Sequence, residues 1–340
     1  MKNFQFTVGI DVSKLTLDWV VYDGQKIIFN FNGQNNNEGI KAFLKLLKKH
    51  NIDADKCLFC MEHTGLYNNP SLYCLSEKKF SVWLESALQI KRSGGLVRGK
   101  NDTLDSERIA KYAFKNQNDA KLWTPCRDII IKLKALTKLR TRLISCINML
   151  KVSANESKDF QSKDIYNSLN SNTKKSVNSL NSDLTSVEGS IMKIIREDEV
   201  LNNLFNIATS VVGVGTQTAI AIIITTNEFK YFESPRKYAC YAGVVPFDYQ
   251  SGKSLNFRPR VSSYANKEVK KLLHMGAMSA IAMKSEFKEY YDRKMEEGKS
   301  KMLIINSIRN KIIHRVFACI RENRKYSKIY EPIPQFSFNK

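Results

Sequence analysis

The stretch VGIDVSKLTLDWVVYDG (residues 8–24) alternates apolar and polar side chains on either side of a short polar turn. This period of two predicts two β-strands folded back on each other. Asp11 interrupts the pattern, because it places a carboxylate where the first strand should bury apolar side chains. A rigid sheet holds a functional side chain more accurately than a loop does, so Asp11 is a candidate site residue.

Charge dominates the composition. The 340 residues include 54 Lys and Arg against 33 Asp and Glu, a net charge of +21. A field of this size favours a polyanionic partner, either nucleic acid or an anionic membrane. The longest apolar run, AIAIII (219–224), is far shorter than the roughly 20 residues that span a bilayer. We therefore expect a cytoplasmic protein that binds nucleic acid and no membrane.

The basic excess is uneven along the chain. Residues 230–340 hold 23 basic and 10 acidic side chains, whereas residues 1–120 hold 17 and 13. The acids that are chemically interesting lie in the first third. This asymmetry indicates one region that holds a polyanion and another that carries out chemistry on it.

The first third predicts an α/β domain. After the opening pair, alternating or apolar runs indicate three further strands, and amphipathic runs indicate helices between and after them. The strand segments are KIIFNFN (26–32), KCLFCMEHTG (56–65) and FSVWLES (80–86), and the most regular helices are at 35–51 and 102–114. Three strands, a helix, then alternating strands and helices predict a mixed sheet.

The remainder is predicted to be mainly helical. A long basic amphipathic helix from Pro125 to about Val152 and another over 186–208 flank a polar stretch at 153–186, expected to be helix with loops. This predicts an antiparallel coiled-coil arm, acting as a spacer or, as we favour, an oligomer contact. Gly213 and Gly215 then separate two short helices, which indicates a helix-hairpin-helix that grips phosphates, or an ordinary glycine turn between core helices. Residues 238–281 are expected to be rich in loops.

Four acids form the strongest pattern. Asp11 lies on the first strand, Glu62 ends the fourth, and Asp102 and Asp105 share a face at the start of a helix. Each alone could be a cap, an exposed strand end or a favourable charge in a first helical turn. Four converging carboxylates would repel one another unless divalent ions neutralised them, and paired Mg²⁺ ions about 4 Å apart are a standard apparatus for phosphodiester attack. The order of the acids is typical of ribonuclease-H-like nucleases.

These motifs resemble a known family. The segments GIDVSK (9–14), MEHTGLY (61–67) and RGKNDTLDSERIAKYA (98–113) resemble the three acidic motifs of the DEDD transposases. These are insertion-sequence recombinases with a RuvC-like N-terminal domain, related to pilin-gene invertases. The C-terminal half is similar through VVGVGTQTA (211–219) and YACYAGVVP…YQSGKS (238–254). The resemblance covers roughly residues 6–325.

The resemblance implies a mechanism and partners. It implies that Asp11, Glu62, Asp102 and Asp105 bind Mg²⁺ or Mn²⁺ and that Ser251 is a nucleophile forming a covalent phosphoserine link. It further implies double-stranded DNA substrates at the element junction and target, a structured guide RNA encoded beside the gene, and dimers that join into a tetramer. The location would be bacterial, cytoplasmic and nucleoid-associated.

The residues around Ser251 suit this chemistry. Gly252 lets the backbone approach a phosphate closely, and nearby cations could clamp one. Without the resemblance, Ser254 is an equal candidate. The candidate nucleic-acid contacts are Gly213, Gly215, Thr216, Lys253, Arg258, Arg260 and Lys270. In YANKEVKKLL (264–273) the family's Gly-Asn is Ala-Asn, and Lys270 stands near an expected Arg, which leaves the role of this helix start open.

The predicted organisation is α/β followed by mainly α. A ribonuclease-H-like (RuvC-like) mixed-sheet domain covers 1–122, a coiled-coil linker or oligomerisation arm 123–207, and a mostly helical transposase domain with the helix-hairpin-helix and serine 208–325. A flexible tail covers 326–340. The main alternative function is a RuvC-like Holliday-junction nuclease that uses water, for which Ser251 would be dispensable. An actin-like ATPase is disfavoured because it would need a second glycine-rich phosphate loop. A catalytically inactive nucleic-acid binder is disfavoured because it would not need the acids.

Overall fold

The computed structural model describes the backbone at residues 4–93, 102–160, 162–251 and 255–327. Side chains are described over the same ranges except at 102–103, 153–159, 249–251 and 255–258. The chain divides into two compact units, Met1–Cys126 and Arg127–Lys340. Within the described residues, no helix combines the length and the apolar character needed to cross a membrane.

A five-stranded mixed sheet forms the centre of the first unit. Its strands are β1 (Phe6–Val12), β2 (Thr16–Tyr22), β3 (Ile27–Gln34), β4 (Cys57–Glu62) and β5 (Ser81–Glu85). They lie in the order β3-β2-β1-β4-β5, with β2 antiparallel to both β1 and β3. Strands β1, β4 and β5 run parallel to one another. The mixed sheet predicted from the sequence is therefore confirmed.

Helices cover both faces of this sheet. They are α1 (Asn37–Lys49), α2 (Asn69–Glu77), α3 (Ala87–Ser93) and α4 (Asp102–Lys115). On one face, the rings of Trp19 in β2 and Phe43 in α1 stack with centroids 4.2 Å apart. On the other face, the Thr7 hydroxyl donates to the Ala110 carbonyl of α4 over 2.9 Å. Burial of apolar side chains on both faces is the main stabilising contribution to this unit.

Helix α4 lies unusually close to β1. A Cβ atom at Gly9 would stand 2.0 Å from the Ser106 carbonyl oxygen and 2.4 Å from the Ala110 amide nitrogen, so only glycine fits there. Ser106 lies over Gly9 and Ala110 near Thr7, which means that α4 runs antiparallel to β1. The first turn of α4 therefore points toward the carboxyl end of β1.

The second unit contains eight helices and one hairpin among the residues that the structure describes. The helices are α5 (Asp128–Phe160), α6 (Lys163–Glu197), α7 (Glu199–Ser210), α8 (Thr216–Thr226), α9 (Pro235–Tyr241), α10 (Lys267–Ala282), α11 (Glu286–Glu296) and α12 (Lys301–Arg321). The hairpin pairs β6 (Pro246–Ser251) with β7 (Leu255–Val261). Much of the apolar core forms around α10 and α12, and the fully buried ring of Tyr238 from α9 packs into it.

The two longest helices pack against each other as an antiparallel pair. Arg140 Nε of α5 donates to Glu188 Oε1 of α6 over 2.8 Å. The loops expected within 153–186 are wrong for most of that range, because Lys163–Glu197 is one uninterrupted helix. Its Ser and Asn residues are weak helix formers, and packing against α5 outweighs that weak preference.

The loop-rich prediction for 238–281 is also wrong. This segment contains the β6–β7 hairpin and the 16-residue helix α10. Pro246 and Pro259 obscure the strand pattern in the sequence, because proline has no amide hydrogen to donate to a neighbouring strand. A two-stranded sheet tolerates them because each strand has one unpaired edge.

A cluster of charged side chains, which we term the Arg127 anchor, joins three segments of the second unit. Arg127 Nη1 donates to Asp198 Oδ2 over 2.8 Å, and Arg127 Nε donates to Glu228 Oε1 over 3.0 Å. Asp198 is the N-cap of α7, and Glu228 lies in a run of three left-handed residues, Asn227–Phe229, that follows α8. The hydrogen bonds from Arg127 lower the pKa of Asp198. Burial alone would raise the pKa of Glu228, but Arg127 and Lys230 together outweigh it and lower the pKa.

Candidate active site and nucleic-acid contacts

Two of the predicted acids lie at the same edge of the sheet. Ile10 pairs with Met61 in the parallel register of β1 and β4, so Asp11 and Glu62 follow at the same level on neighbouring strands. Asp11 is two residues beyond Gly9 and therefore shares the face covered by α4. Glu62 is two residues beyond Cys60, which packs in the apolar cluster on that same face. Both carboxylates are half-buried.

Asp105 joins them from the first turns of α4. Burial and, second, the negative charge of Asp105 raise the pKa of Glu62. Arg108 Nη1 donates to Asp105 Oδ1 over 2.5 Å, which fixes the Asp105 side chain. Asp102 begins α4 one turn earlier, but its side chain lies outside the described residues. The structure thus places Asp11 and Glu62 side by side at one edge of the sheet, Asp105 on the helix that covers that face, and Asp102 by its backbone one turn earlier.

These donors fit a divalent cation. Carboxylate oxygens are the ligands that Mg²⁺ prefers, and a carboxylate whose pKa is raised by a neighbouring acid is stabilised in its charged form by a bound cation. Among the side chains that the structure describes, no three His, Cys, Asp or Glu residues already converge tightly enough to hold a metal ion. The predicted tetrad includes Asp102, whose side chain lies outside the described residues.

A fifth acid, Glu85, was missed by sequence analysis. It ends β5 in register with Glu62. Its Oε2 accepts a hydrogen bond from the Tyr112 hydroxyl over 3.2 Å, and its Oε1 accepts one from the Ser86 amide over 2.6 Å. Burial and the Glu85 charge raise the pKa of Tyr112, so the phenol stays protonated as a donor. The available signal was positional, since an acid ends the fifth strand just as Glu62 ends the fourth.

A second missed residue supports the chain just after Glu62. The fully buried Asn68 donates through Nδ2 to the Glu62 carbonyl over 2.7 Å. Its Oδ1 accepts from the Thr64 amide over 2.7 Å. The turn that follows β4 is therefore held from inside by one side chain, and this fixes the backbone that carries Glu62.

Ser251 is the last residue of β6 and pairs with Leu255 across the hairpin. It therefore stands at the end of a strand, within the segment 238–281 that the sequence predicted to be rich in loops. The Ser251 and Arg258 side chains lie outside the described residues, as do Lys253 and Ser254 entirely. Arg260 is exposed on β7 opposite Phe247.

Helix α10 begins beside the base of this hairpin. Asn266 is its N-cap and accepts from the Val269 amide over 3.0 Å, which gives a structural role to the Ala-Asn start left open above. Asn266 Nδ2 also donates to the Tyr241 hydroxyl over 2.8 Å. Lys270, one turn into the helix, packs near Gly243, whose φ of +67° suits glycine.

The glycine turn between α7 and α8 has two different glycines. Gly213 has a φ of +85°, and a Cβ there would stand 2.6 Å from the Gly276 carbonyl oxygen of α10, so its role is structural. Gly215 has open space around it and is the exposed N-cap of α8 without a side-chain cap. Gly215 and Thr216 are both exposed, so the start of α8 lies at the surface, where a phosphate contact would require it.

Two family models match separate parts of the chain. A family model for DEDD transposases of the IS110 type, described as "Transposase", matches residues 8–156. A second, described as "Transposase IS116/IS110/IS902 family", matches residues 206–292. The chain belongs to the IS110 family of DEDD transposases. This IS110-family protein is therefore a DNA transposase or recombinase, an enzyme class whose fold and acidic motifs imply a divalent metal.

Full-length relatives support the assignment. Pilin gene-inverting proteins of Moraxella bovis and Moraxella lacunata are each 25% identical over 325 residues, covering 94% of this chain and 97% of theirs. An uncharacterized 43.6 kDa protein of insertion element IS110 from Streptomyces coelicolor is 27% identical over 122 residues, or 35% of this chain and 29% of its own. The structure of Thermus thermophilus RuvC in complex with a Holliday junction covers 35% of this chain and 99% of its own, with 14% identity and a TM-score of 0.26.

Proposed function

We propose that this transposase cuts and rejoins DNA with a metal-binding tetrad of Asp11, Glu62, Asp102 and Asp105 and with Ser251 as the nucleophile. The observation that supports the proposal is that Asp11 and Glu62 lie at the same level on neighbouring strands, on the face that α4 covers with Asp105 in its first turns. The strand order and this placement favour a ribonuclease-H-like, RuvC-like domain in the first unit.

The tetrad would hold Mg²⁺ or Mn²⁺, which polarises a phosphate and offsets charge that develops during its attack. The protein's own contribution is to keep the carboxylates in place before substrate arrives. Arg108 holds Asp105, and Asn68 fixes the turn after Glu62. Glu85, held by Tyr112, adds negative charge at the same edge.

Ser251 is proposed to form the covalent intermediate. Its hydroxyl oxygen bonds to phosphorus, its proton passes to a base, and the sugar oxygen of the broken phosphodiester leaves with one DNA end. The reverse step, with a new sugar hydroxyl attacking phosphorus, joins strands and releases the serine. A strand end held by a hairpin suits a nucleophile, and Lys253, Arg258 and Arg260 supply positive charge in sequence around it.

The remaining parts of the proposal concern partners. The α8 start at Gly215 and Thr216, together with Lys270, would contact nucleic acid, and the turn would act as a helix-hairpin-helix.

The α5–α6 pair would form the arm between a domain over 1–122 and one over 208–325, and would join copies into dimers and tetramers. Exposed apolar side chains along it, including Phe160 at 90% exposure, favour such contacts. The net charge of +21 supports a structured guide RNA as a second polyanion and a nucleoid-associated, cytoplasmic location.

A covalent trapping assay tests the chemistry. Purified protein is mixed with Mg²⁺, junction DNA and RNA transcribed from the element's flank, denatured, and analysed on a gel for a protein–DNA adduct. We expect an adduct with wild type and with Ser254→Ala, and none with Ser251→Ala or Asp11→Asn. Omitting the RNA tests guidance, because adduct formation should then be lost.

The contrary outcomes are distinct. DNA cleavage without an adduct, unaffected by Ser251→Ala, would show that the acids use water and that the junction-nuclease mechanism applies. An adduct that persists in Asp11→Asn would overturn the role of the tetrad. Binding of DNA by Asp11→Asn at wild-type affinity is the control, since the neutral amide keeps the side-chain shape.

A further inference from the structure

Arg309 of α12 is a buried charge that the proposed chemistry does not use. Only 5% of it is exposed, and it stands between Ile308 and Ile312 in the apolar core of the second unit. Its polar contacts among the described residues are with His274 and Asn306, neither of which is an acid, and burial lowers the pKa of its guanidinium. A buried, unpaired charge is costly, so its retention calls for a physical reason.

The contacts of Arg309 fix the orientation of two other side chains. Its Nη2 lies 2.6 Å from Nδ1 of His274 on α10. Arginine has only donors, so Nδ1 accepts and the imidazole is neutral with its proton on Nε2. Its Nη1 lies 3.5 Å from Oδ1 of Asn306, at the long end of a hydrogen bond. This contact directs the amide oxygen of Asn306 toward Arg309 and its nitrogen away.

The side-chain nitrogen of Asn306 contacts the segment that leads into the β6–β7 hairpin. Nδ2 donates to the Val244 carbonyl over 2.6 Å. Val244 is buried and precedes the start of β6 at Pro246 by two residues. Its amide donates to the Ala239 carbonyl of α9 over 3.0 Å, so the backbone at this point is held on both sides.

The other strand of the hairpin is held in a similar way. The Asn266 amide donates to the Tyr241 carbonyl over 2.8 Å, five residues after β7 ends. A Cβ at Gly243 would stand 2.5 Å from Cβ of Ala265 and 3.3 Å from Cγ1 of Val261, so the two ends of the hairpin lie in direct contact. The base of the hairpin is therefore fixed to α9, α10 and α12.

We propose that Asn306, oriented by Arg309, is a positioning residue that sets the direction in which the hairpin leaves the helical core. The hydrogen bond to the Val244 carbonyl fixes the entry to β6 and so places the strand end that carries Ser251. This inference rests on the proposed role of Ser251 in the reaction. Because the guanidinium of Arg309 has only donors, it contacts the Asn306 amide through the amide oxygen and leaves the amide nitrogen to donate to the Val244 carbonyl.

The deciding variant is Asn306→Asp, which separates positioning from stability. The introduced carboxylate gains an ion pair with Arg309, so we expect a melting temperature equal to or above that of wild type. The same carboxylate cannot donate to the Val244 carbonyl and repels it. We expect the rate of adduct formation to fall at least about tenfold, since small misplacements of reacting groups cost that much or more.

A matched control carries the same added charge without the contact. Ser307 is the next residue of α12, and its hydroxyl donates to the Leu303 carbonyl of its own helix. Ser307→Asp should form adduct within about twofold of wild type. Hydrogen exchange supplies the structural readout. Backbone amides within residues 244–251 should exchange faster in Asn306→Asp than in wild type, and at the wild-type rate in Ser307→Asp.

Each outcome has one meaning. Adduct formation and exchange at wild-type levels in Asn306→Asp would overturn the inference while leaving the role of Ser251 intact. No adduct in wild type would overturn the role of Ser251, and exchange would then decide whether Asn306 anchors the strand. If Asn306→Asp does not fold, Asn306→Ala replaces it, and unchanged adduct formation there would equally refute the inference.

Discussion

Gly9 determines how closely the acid-bearing helix can approach the acid-bearing strand. Because it lacks a side chain, the backbone of α4 at Ser106 rests directly on β1. Asp105 is adjacent to Ser106, and Asp11 is two residues beyond Gly9, so the same contact sets the distance between carboxylates on the two elements. The packing of a glycine thus defines the geometry of the candidate metal site.

Adding one methyl group tests this contact. Gly9→Ala places a carbon 2.0 Å from the Ser106 carbonyl oxygen, and the backbone must shift to accommodate it. Overpacking of this kind costs about 1–3 kcal/mol of unfolding free energy, and more where the neighbour is backbone. We expect a lower denaturant midpoint for the first unit and weaker Mn²⁺ binding measured by calorimetry.

Gly189→Ala is the matched control. A Cβ atom at this exposed glycine of α6 would meet no neighbouring side chain or segment within 4 Å, and alanine favours a helix by about 1 kcal/mol. It should raise stability slightly and leave Mn²⁺ binding unchanged. Equal stability of Gly9→Ala and wild type would refute the close contact.

Individual residues were predictable to different degrees. Asp11, Glu62 and Asp105 stood out because acids interrupt or end apolar segments, which a sequence displays directly. Glu85 and Asn68 did not, because their importance depends on which strands are neighbours and on which carbonyl a buried amide reaches. Such long-range partners are not encoded in local periodicity.

Elements of the second unit depend on tertiary contacts more than on propensity. The polar helix α6 persists through its pairing with α5, and the β6–β7 hairpin forms despite its prolines. The amphipathic first half of α5 was predictable because one of its faces carries an apolar stripe, and the strands of the first unit were predictable because they are alternating or apolar runs. The Arg127 anchor was not predictable, since its three charges come from separate segments.

The Arg127 anchor predicts how the second unit responds to acid. The pKa values of Asp198 and Glu228 are lowered in the folded protein, so their contribution to stability is present above about pH 4, the unfolded value, and is lost as pH falls through the folded pKa. In Arg127→Gln, burial of Glu228, whose side chain is 2% exposed, should raise its pKa. Acid unfolding followed by circular dichroism should then begin at higher pH.

The size of this effect is limited by exposure. Breaking a fully buried pair costs about 3–5 kcal/mol, and the 36% exposure of the Arg127 side chain reduces our expectation to about 1–3 kcal/mol at pH 7. Arg140→Gln is the control, because its partner Glu188 is 43% exposed and the pair should contribute less than about 1 kcal/mol. Identical acid midpoints for Arg127→Gln and wild type would contradict the prediction.

At the scale of the whole molecule, charge is the property that sequence alone established most securely. The excess of basic side chains lies mainly in residues 230–340, while the acids of the candidate metal site lie in the first unit. A transposase must hold a highly charged polymer and break one bond in it. We expect the second unit to hold most of the polymer, and the proposed chemistry to use the acids of the first unit together with Ser251 of the second.

Binding of nucleic acid should therefore depend steeply on salt. A protein that contacts about six to ten phosphates loses about 10³–10⁵ in affinity between about 50 and 200 mM salt. We expect fluorescence anisotropy with labelled DNA to show a loss of affinity of that order, which appears as a steep slope in a plot of log affinity against log salt. Lys270→Gln should reduce the slope by about one, as loss of one phosphate contact requires. A nearly flat plot for wild type would exclude a phosphate-dominated interface.

The contact between Gly213 and Gly276 has a consequence for the history of the family. A Cβ on either residue would press against the carbonyl oxygen of the other, at 2.6 and 2.2 Å. Neither position can accept a larger residue while the turn and α10 keep their present crossing, and changing one does not make room for changing the other. We expect lineages to keep both glycines together, and a relative that has lost both to have moved α10 away from the turn.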